Sequence, residues 1–155
     1  MSLALFPWLP FSILDLRMSV ARMVGVQFVK PIVYGNTAKV LDSIDEEGNT
    51  HEWTLFLRPY CDEDLSIFIK KVEFKYNDGY QFCRKVFEEP PYEIVERGST
   101  EFRVRICMYF IDSNEKPVTV SHTLNLTEPL ITLEDGTACV VGEYYDEIVS
   151  PLVCF

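Results

Sequence analysis

The residues able to do acid–base or metal chemistry in this chain are few and poorly spaced for it. There are two histidines, His51 and His122, and five cysteines, Cys61, Cys83, Cys107, Cys139 and Cys154. No two cysteines form a C-x-x-C pair and neither histidine stands at ligand spacing from a thiol, so no metal or redox site is spelled out. An odd number of scattered thiols reads as reduced cysteine in an intracellular protein, where the sequon Asn125-Leu126-Thr127 carries no weight. The carboxylate runs Asp62-Glu63-Asp64 and Glu88-Glu89 fall in or beside turns, where solvated surface is the ordinary role. No G-x-S-x-G elbow or phosphate loop appears. Both histidines sit on the apolar parity of extended segments, the setting of a packing histidine rather than a general base. The expectation is a binding protein, not an enzyme, with no cofactor and no metal.

Charge says what it binds. Twenty-four Asp and Glu against 14 Lys and Arg give a formal net charge of −10. That balance disfavours direct contact with nucleic acid, whose phosphates it repels. It suits a basic partner such as a Lys/Arg-rich peptide, and equally it keeps the surface soluble. With 48% hydrophobic and 14% aromatic residues in 155, one domain with a substantial core is expected.

The elements that would position a binding site are strands. His51, Trp53, Leu55 and Leu57 share one parity against Glu52, Thr54 and Arg58, with Phe56 as the exception. Phe102, Val104, Ile106, Met108 and Phe110 alternate with Arg103, Arg105, Cys107 and Tyr109. A third alternation runs from Val118 to Leu126, and Asp112-Ser113-Asn114-Glu115 with Pro117 makes the last two a hairpin. Shorter strands are expected at Val26–Tyr34, Ala38–Ser43, Val72–Tyr76, Lys85–Phe87, Tyr92–Val95 and Ala138–Val141, and one helical turn within Asp64–Lys71. Turn chemistry at Gly48-Asn49, Asn77-Asp78-Gly79, Pro90-Pro91, Arg97-Gly98 and Asp135-Gly136 separates them. Many short strands at this spacing predict an all-β, immunoglobulin-like β-sandwich.

The ends differ. Met1–Leu16 is apolar but lacks a basic n-region, carries Pro7 and Pro10, contains Asp15 and is too short to span a bilayer as a helix. Residues 1–24 are therefore expected to be a leader outside the fold, or a docking segment, and residues 25–155 the domain. No membrane element is expected.

Three runs in fixed order, VKPIVYGNTA (Val29–Ala38), HEWTLFLRPY (His51–Tyr60) and EPPYEIVERGSTEF (Glu89–Phe102), resemble the YEATS domain family. Phe68-Ile69-Lys70-Lys71, Pro117-Val118-Thr119 and Glu143-Tyr144-Tyr145-Asp146-Glu147 extend the likeness over about residues 25–149. The last run is similar to the small subunit shared by nuclear acetyltransferase and histone-variant-exchange complexes. That branch usually continues into a C-terminal coiled coil, for which this chain has no heptads. The resemblance implies a nuclear reader of acetylated or crotonylated lysine on histone tails, H3 foremost, acting beside other subunits of a chromatin complex.

An acylated lysine offers a flat amide, and family pockets sandwich it between aromatic faces and give its carbonyl a hydrogen-bond donor. The corresponding positions here are Asn49 in the first loop, Asn77-Asp78-Gly79-Tyr80 in the middle loop, and Gly98-Ser99-Thr100 with Phe102 in the third. Asn77 replaces the family histidine, Gly79 a hydroxyl donor and Ser99 an aromatic wall. Losing the wall would forfeit about 1–3 kcal/mol and the hydrogen bond about 1 more. Tyr76, Phe82 or Tyr92 could compensate, and the Ser99 backbone N–H could replace the donor. The alternatives are a structural YEATS subunit with a decayed pocket, or an acidic β-sandwich histone chaperone indifferent to acylation.

Overall fold

A computed structural model describes the backbone of residues 22–153 and the side chains of residues 27–149. Contacts divide the chain into two units, Val29–Ile148 and Met1–Phe28 with Val149–Phe155. Of the second unit only the first residues of one strand and the last of another are described, both extended. Most of the 1–24 leader expectation, and Cys154, thus lie outside the described residues.

Among the described residues nine strands run β1 Arg22–Val40, β2 His51–Pro59, β3 Ile69–Asn77, β4 Phe82–Phe87, β5 Tyr92–Gly98, β6 Arg103–Phe110, β7 Val118–Thr123, β8 Leu130–Thr132 and β9 Ala138–Val153. A 3-10 turn, Leu65–Ile67, forms within Asp64–Lys71 where a helical turn was expected, and β3 already begins at Ile69. Asp64 caps it, its carboxylate accepting from the Ser66 N–H at 2.9 Å and hydroxyl at 2.6 Å. The strands form two sheets, ordered β5-β2-β1-β9-β8 and β4-β3-β6-β7. This is the all-β immunoglobulin-like sandwich anticipated from alternation.

The core is the apolar parity of each sheet. Trp53, Leu55, Leu57 and Ile94 from one face Val72, Phe74, Ile106 and Met108 from the other, all buried. The β6–β7 hairpin forms as expected, with Val104 opposite His122 and Met108 opposite Val118. In its turn the Asp112 carboxylate accepts from the Asn114 N–H at 2.9 Å. Phe56, the parity exception, is buried on the opposite face because the Arg58 guanidinium lies 4.4 Å above its ring.

Several strands differ from expectation: β9 runs Ala138–Val153 where Ala138–Val141 was expected, and β4 begins at Phe82 where Lys85 was expected. The segment read as separate strands, Val26–Tyr34 and Ala38–Ser43, is continuous through Gly35 and Asn36, pairing with β2 from Ile32 opposite Pro59 to Val40 opposite His51. Gly35 is what permits it: at φ +154° a Cβ there would run into the Gly142 carbonyl and the Glu143 Cα of β9. Asn36 is fully buried and joins the sheets. Its amide donates to the Asn125 carbonyl at 2.8 Å, and its oxygen accepts from the Asn125 N–H at 2.9 Å and lies 2.7 Å from His122 Nε2. Strand β8 was not expected, being three exposed residues that pair with the start of β9.

The cysteines Cys61, Cys83, Cys107 and Cys139 are all free thiols. Among the described residues no cluster of His, Cys, Asp or Glu is arranged to hold a metal ion, and no helix is long and apolar enough to cross a membrane.

Candidate functional site: a three-loop cleft

Three loops meet at the end of the sandwich where His51 of β2 pairs with Gly98 of β5. Each is shaped by its own sequence. In the β1–β2 loop the Asp45 carboxylate gathers the N–H groups of Glu47 and Asn49 at 3.0 and 2.8 Å and the Asn49 side-chain amide at 3.0 Å. Those hydrogen bonds, that from the Asn49 backbone foremost, hold the Asp45 carboxyl below the usual carboxylate range. Gly48 takes the positive φ, +84°, that closes this turn.

The β3–β4 loop is an Asx turn. Asn77 accepts from the Gly79 N–H at 2.9 Å, and Asp78 accepts from Tyr80 and Gln81 at 2.9 Å each. The Gln81 and Tyr80 N–H groups hold Asp78 ionised. The third loop ties the other two together. The Ser99 hydroxyl donates to the Gly48 carbonyl at 2.9 Å and the Thr100 hydroxyl to the Asp78 carbonyl at 3.1 Å.

Between them lies a cleft of about 300 Å³. Asn49, Asp78, Tyr80, Gly98, Ser99, Thr100 and Phe102 line it, seven of the nine positions that the sequence nominates. Asn77 and Gly79 do not line it; they build the turn that carries Tyr80. Sequence reasoning missed Glu47, Gly48, Trp53, Glu96 and Arg97. The signal for Trp53 was its inward parity at the loop end of β2.

The floor is an aromatic stack. Phe102 lies flat on Tyr76 at 5.0 Å and 16°, and Trp53 meets Phe102 edge-on at 5.8 Å and 74°. Tyr76 is buried beneath, its hydroxyl donating to Glu96 at 3.2 Å; burial, then the Glu96 charge, push its pKa far up. Tyr76 thus braces the floor without lining the cleft, and Phe82 and Tyr92 do not line it either. None of the three supplies the missing wall. Tyr80 is 93% exposed, a flap rather than a packed face.

The cleft's side-chain donors are largely engaged. Asn49 donates to Asp45, Ser99 to Gly48 and Thr100 to Asp78. The Trp53 indole N–H is buried, close against Gly98, and has no partner among the described residues. The Ser99 backbone N–H has no acceptor among the described residues. Electrostatically the rim is acidic through Glu47 and Asp78; Glu96 is ion-paired to Lys85, and the Arg97 guanidinium lies 3.6 Å from Glu52. Such a cleft can take a flat, uncharged group over aromatic rings, give one backbone hydrogen bond to a carbonyl, and attract a basic chain around it.

The two sheets and the cleft at their loop end define an immunoglobulin-like β-sandwich domain. A YEATS family profile matches residues 48–128. The chain is 40% identical to the protein AF-9 homolog of Eremothecium gossypii and 38% identical to that of Saccharomyces cerevisiae, each over 83% of its own length. Transcription initiation factor TFIID subunit 14b of Arabidopsis thaliana is 35% identical over 84%. The chain spans 65% of the length of the first two relatives and 49% of the third.

Among solved structures, the Yaf9 YEATS domain bound to H3K27ac superposes with a TM-score of 0.70 at 37% identity, covering 86% of this chain and 92% of that one. The crystal structure of yeast AF-9 homolog protein Yaf9 gives 0.69 at 38%, covering 81% and 80%. This chain belongs to the YEATS family.

Proposed function

We propose that this chain is a non-enzymatic, nuclear histone-binding module that reads acyl-lysine on H3-type tails within a multi-subunit chromatin complex. One relative is named as a subunit of transcription initiation factor TFIID and others as AF-9 homologs, and a neighbour of the same fold is solved with an acetylated H3 peptide. The single observation that carries the reading is the open Ser99 N–H beside the Phe102–Tyr76 stack. It offers the acyl carbonyl a donor that requires no particular side chain, so the cleft keeps its essential hydrogen bond despite Asn77, Gly79 and Ser99. The alkyl stem and amide plane would lie over Phe102 with Tyr80 folding across, and the acidic rim would hold flanking basic residues.

A second reading, a structural subunit whose pocket has decayed, is favoured by one specific feature. Ser99 stands where an aromatic wall would stand, and its hydroxyl is already engaged by Gly48. Calorimetric titration with acetylated, crotonylated and unmodified H3-tail peptides tests the choice. A preference for acylated peptide supports the reader; equal binding points to a histone chaperone indifferent to acylation, and absent binding leaves the structural role.

A further inference from the structure

A larger cavity, about 490 Å³, lies at the other end of β2. The cleft sits where His51 pairs with Gly98; this cavity sits where Leu57 pairs with Tyr92, six residues or roughly 20 Å along the strand. Four carboxylates line it: Asp62, Glu63 and Asp64 from the loop after β2, and Glu93 from β5. Pro90 and Pro91 form part of its apolar wall.

The charges are not mutually cancelled. Arg58, the one cation among the described lining residues, lies over Phe56 in that lining, and its charge is taken up by an ion pair with Glu143, which does not line the cavity. Glu63 is paired with Lys30 at 3.0 Å. Asp64 is occupied as the cap of the 3-10 turn, and the Ser66 hydroxyl and N–H keep it ionised. Asp62 and Glu93 have no hydrogen-bond or ion-pair partner among the described residues, and both are exposed.

An independent feature points to a ligand. Tyr92 also lines the cavity; it is 2% exposed and its hydroxyl has no hydrogen-bond partner among the described residues. A buried phenol without a partner is costly, and native proteins seldom leave one so. Burial and the nearby Asp64 charge keep it protonated.

We propose that this cavity is a second binding site, taking the cationic side chain of an arginine or lysine in a basic peptide. The aliphatic stem packs on Pro90 and Pro91, the charged head sits between Asp62 and Glu93, and a donor from the head or the peptide backbone meets the Tyr92 oxygen. The site selects the charged side chain, as the three-loop cleft selects the uncharged one. It does not depend on the acyl-lysine reading, because its residues are separate from the cleft.

The test is a titration of isotope-labelled protein with two blocked hexapeptides, one alternating glycine with arginine and one alternating glycine with glutamine. Saturable amide shifts at Thr54, Asp62, Leu65 and Glu93 with the arginine peptide alone support the site. The double variant Asp62→Asn/Glu93→Gln, altered only at exposed positions, weakens them about five-fold. Tyr92→Phe weakens them too while leaving the unliganded protein at least as stable, since it removes the orphan hydroxyl. Absence of shifts at these residues, equal response to the glutamine peptide, or unchanged affinity in the double variant overturns the proposal. Shifts confined to Asn49, Tyr80 and Ser99 would overturn it also, and would leave the cleft intact as a separate question.

Discussion

The Ser99 hydroxyl donates to the Gly48 carbonyl at 2.9 Å, across 51 residues of sequence. This contact fastens the β5–β6 loop to the β1–β2 loop, and Thr100 fastens it to the middle loop through Asp78. Side chains that would elsewhere face a ligand here hold the cleft's shape. The cleft is preorganised at the expense of its own donors, and its remaining chemistry is aromatic stacking and backbone hydrogen bonding.

Restoring the missing wall follows from that. Ser99→Trp removes the bond to Gly48 but adds an aromatic face opposite Tyr80. Stacking of this kind contributes about 1–3 kcal/mol, so affinity for an acetylated H3-tail peptide rises roughly tenfold. Affinity for the unmodified peptide stays put. Calorimetry on the two peptides reads both.

Tyr80 is the reverse case. It is 93% exposed and packs on nothing that Tyr80→Ala would expose. The substitution changes folding stability by less than about 0.5 kcal/mol and yet lowers acyl-peptide affinity several-fold. A thermal melt and a peptide titration on the same sample separate the two effects.

His122 gives the fold a pH dependence. The Asn36 oxygen can only accept, so Nε2 carries the proton and Nδ1 is a buried lone pair without a partner among the described residues. Desolvation lowers the His122 pKa from 6.5 to about 4. Above pH 6.5 both folded and unfolded chains hold it neutral and the full contribution is present. Between about pH 6.5 and 4 the unfolded chain binds the extra proton, so stability falls as pH falls, by up to about 3 kcal/mol. Denaturant unfolding at pH 7 and pH 4.5 should show a smaller acid loss in His122→Phe than in the parent chain. An identical loss in both would mean that the imidazole is not held neutral.

Gly35→Ala tests the junction of β1 and β9. Its Cβ meets backbone on the facing strand, which cannot rotate away, at a φ that L residues avoid. The expected cost is about 3 kcal/mol or more, seen as a loss of soluble protein or a large fall in denaturation midpoint. Gly136→Ala, with open space around its Cβ and only the positive φ to strain it, costs about 1 kcal/mol.

How much was legible in the sequence differs between fold and site. Alternation placed β2, β6 and β7 and the hairpin, because half-buried strands must alternate. It split β1, since Gly35 and Asn36 look like a turn and only their fit against Gly142 and His122 shows otherwise. It missed β8, three residues whose side chains are all exposed and so carry no burial pattern.

The cleft residues were reachable through family resemblance, since no local pattern announces a site made by three distant loops. That Asn77 and Gly79 serve the turn, that Ser99 and Thr100 act as fasteners, and that Trp53 and Glu96 join the lining depend on loop geometry alone.

The most direct test of the central claim is a titration of the isotope-labelled chain with an H3-tail peptide carrying one acetylated or crotonylated lysine, against the unmodified peptide. The account predicts saturable shifts at Asn49, Tyr80, Ser99, Thr100 and Phe102, with the Ser99 amide among the largest, for the acylated peptides only. Unmoved cleft amides at millimolar acylated peptide, or the same shifts with unmodified lysine, would contradict it.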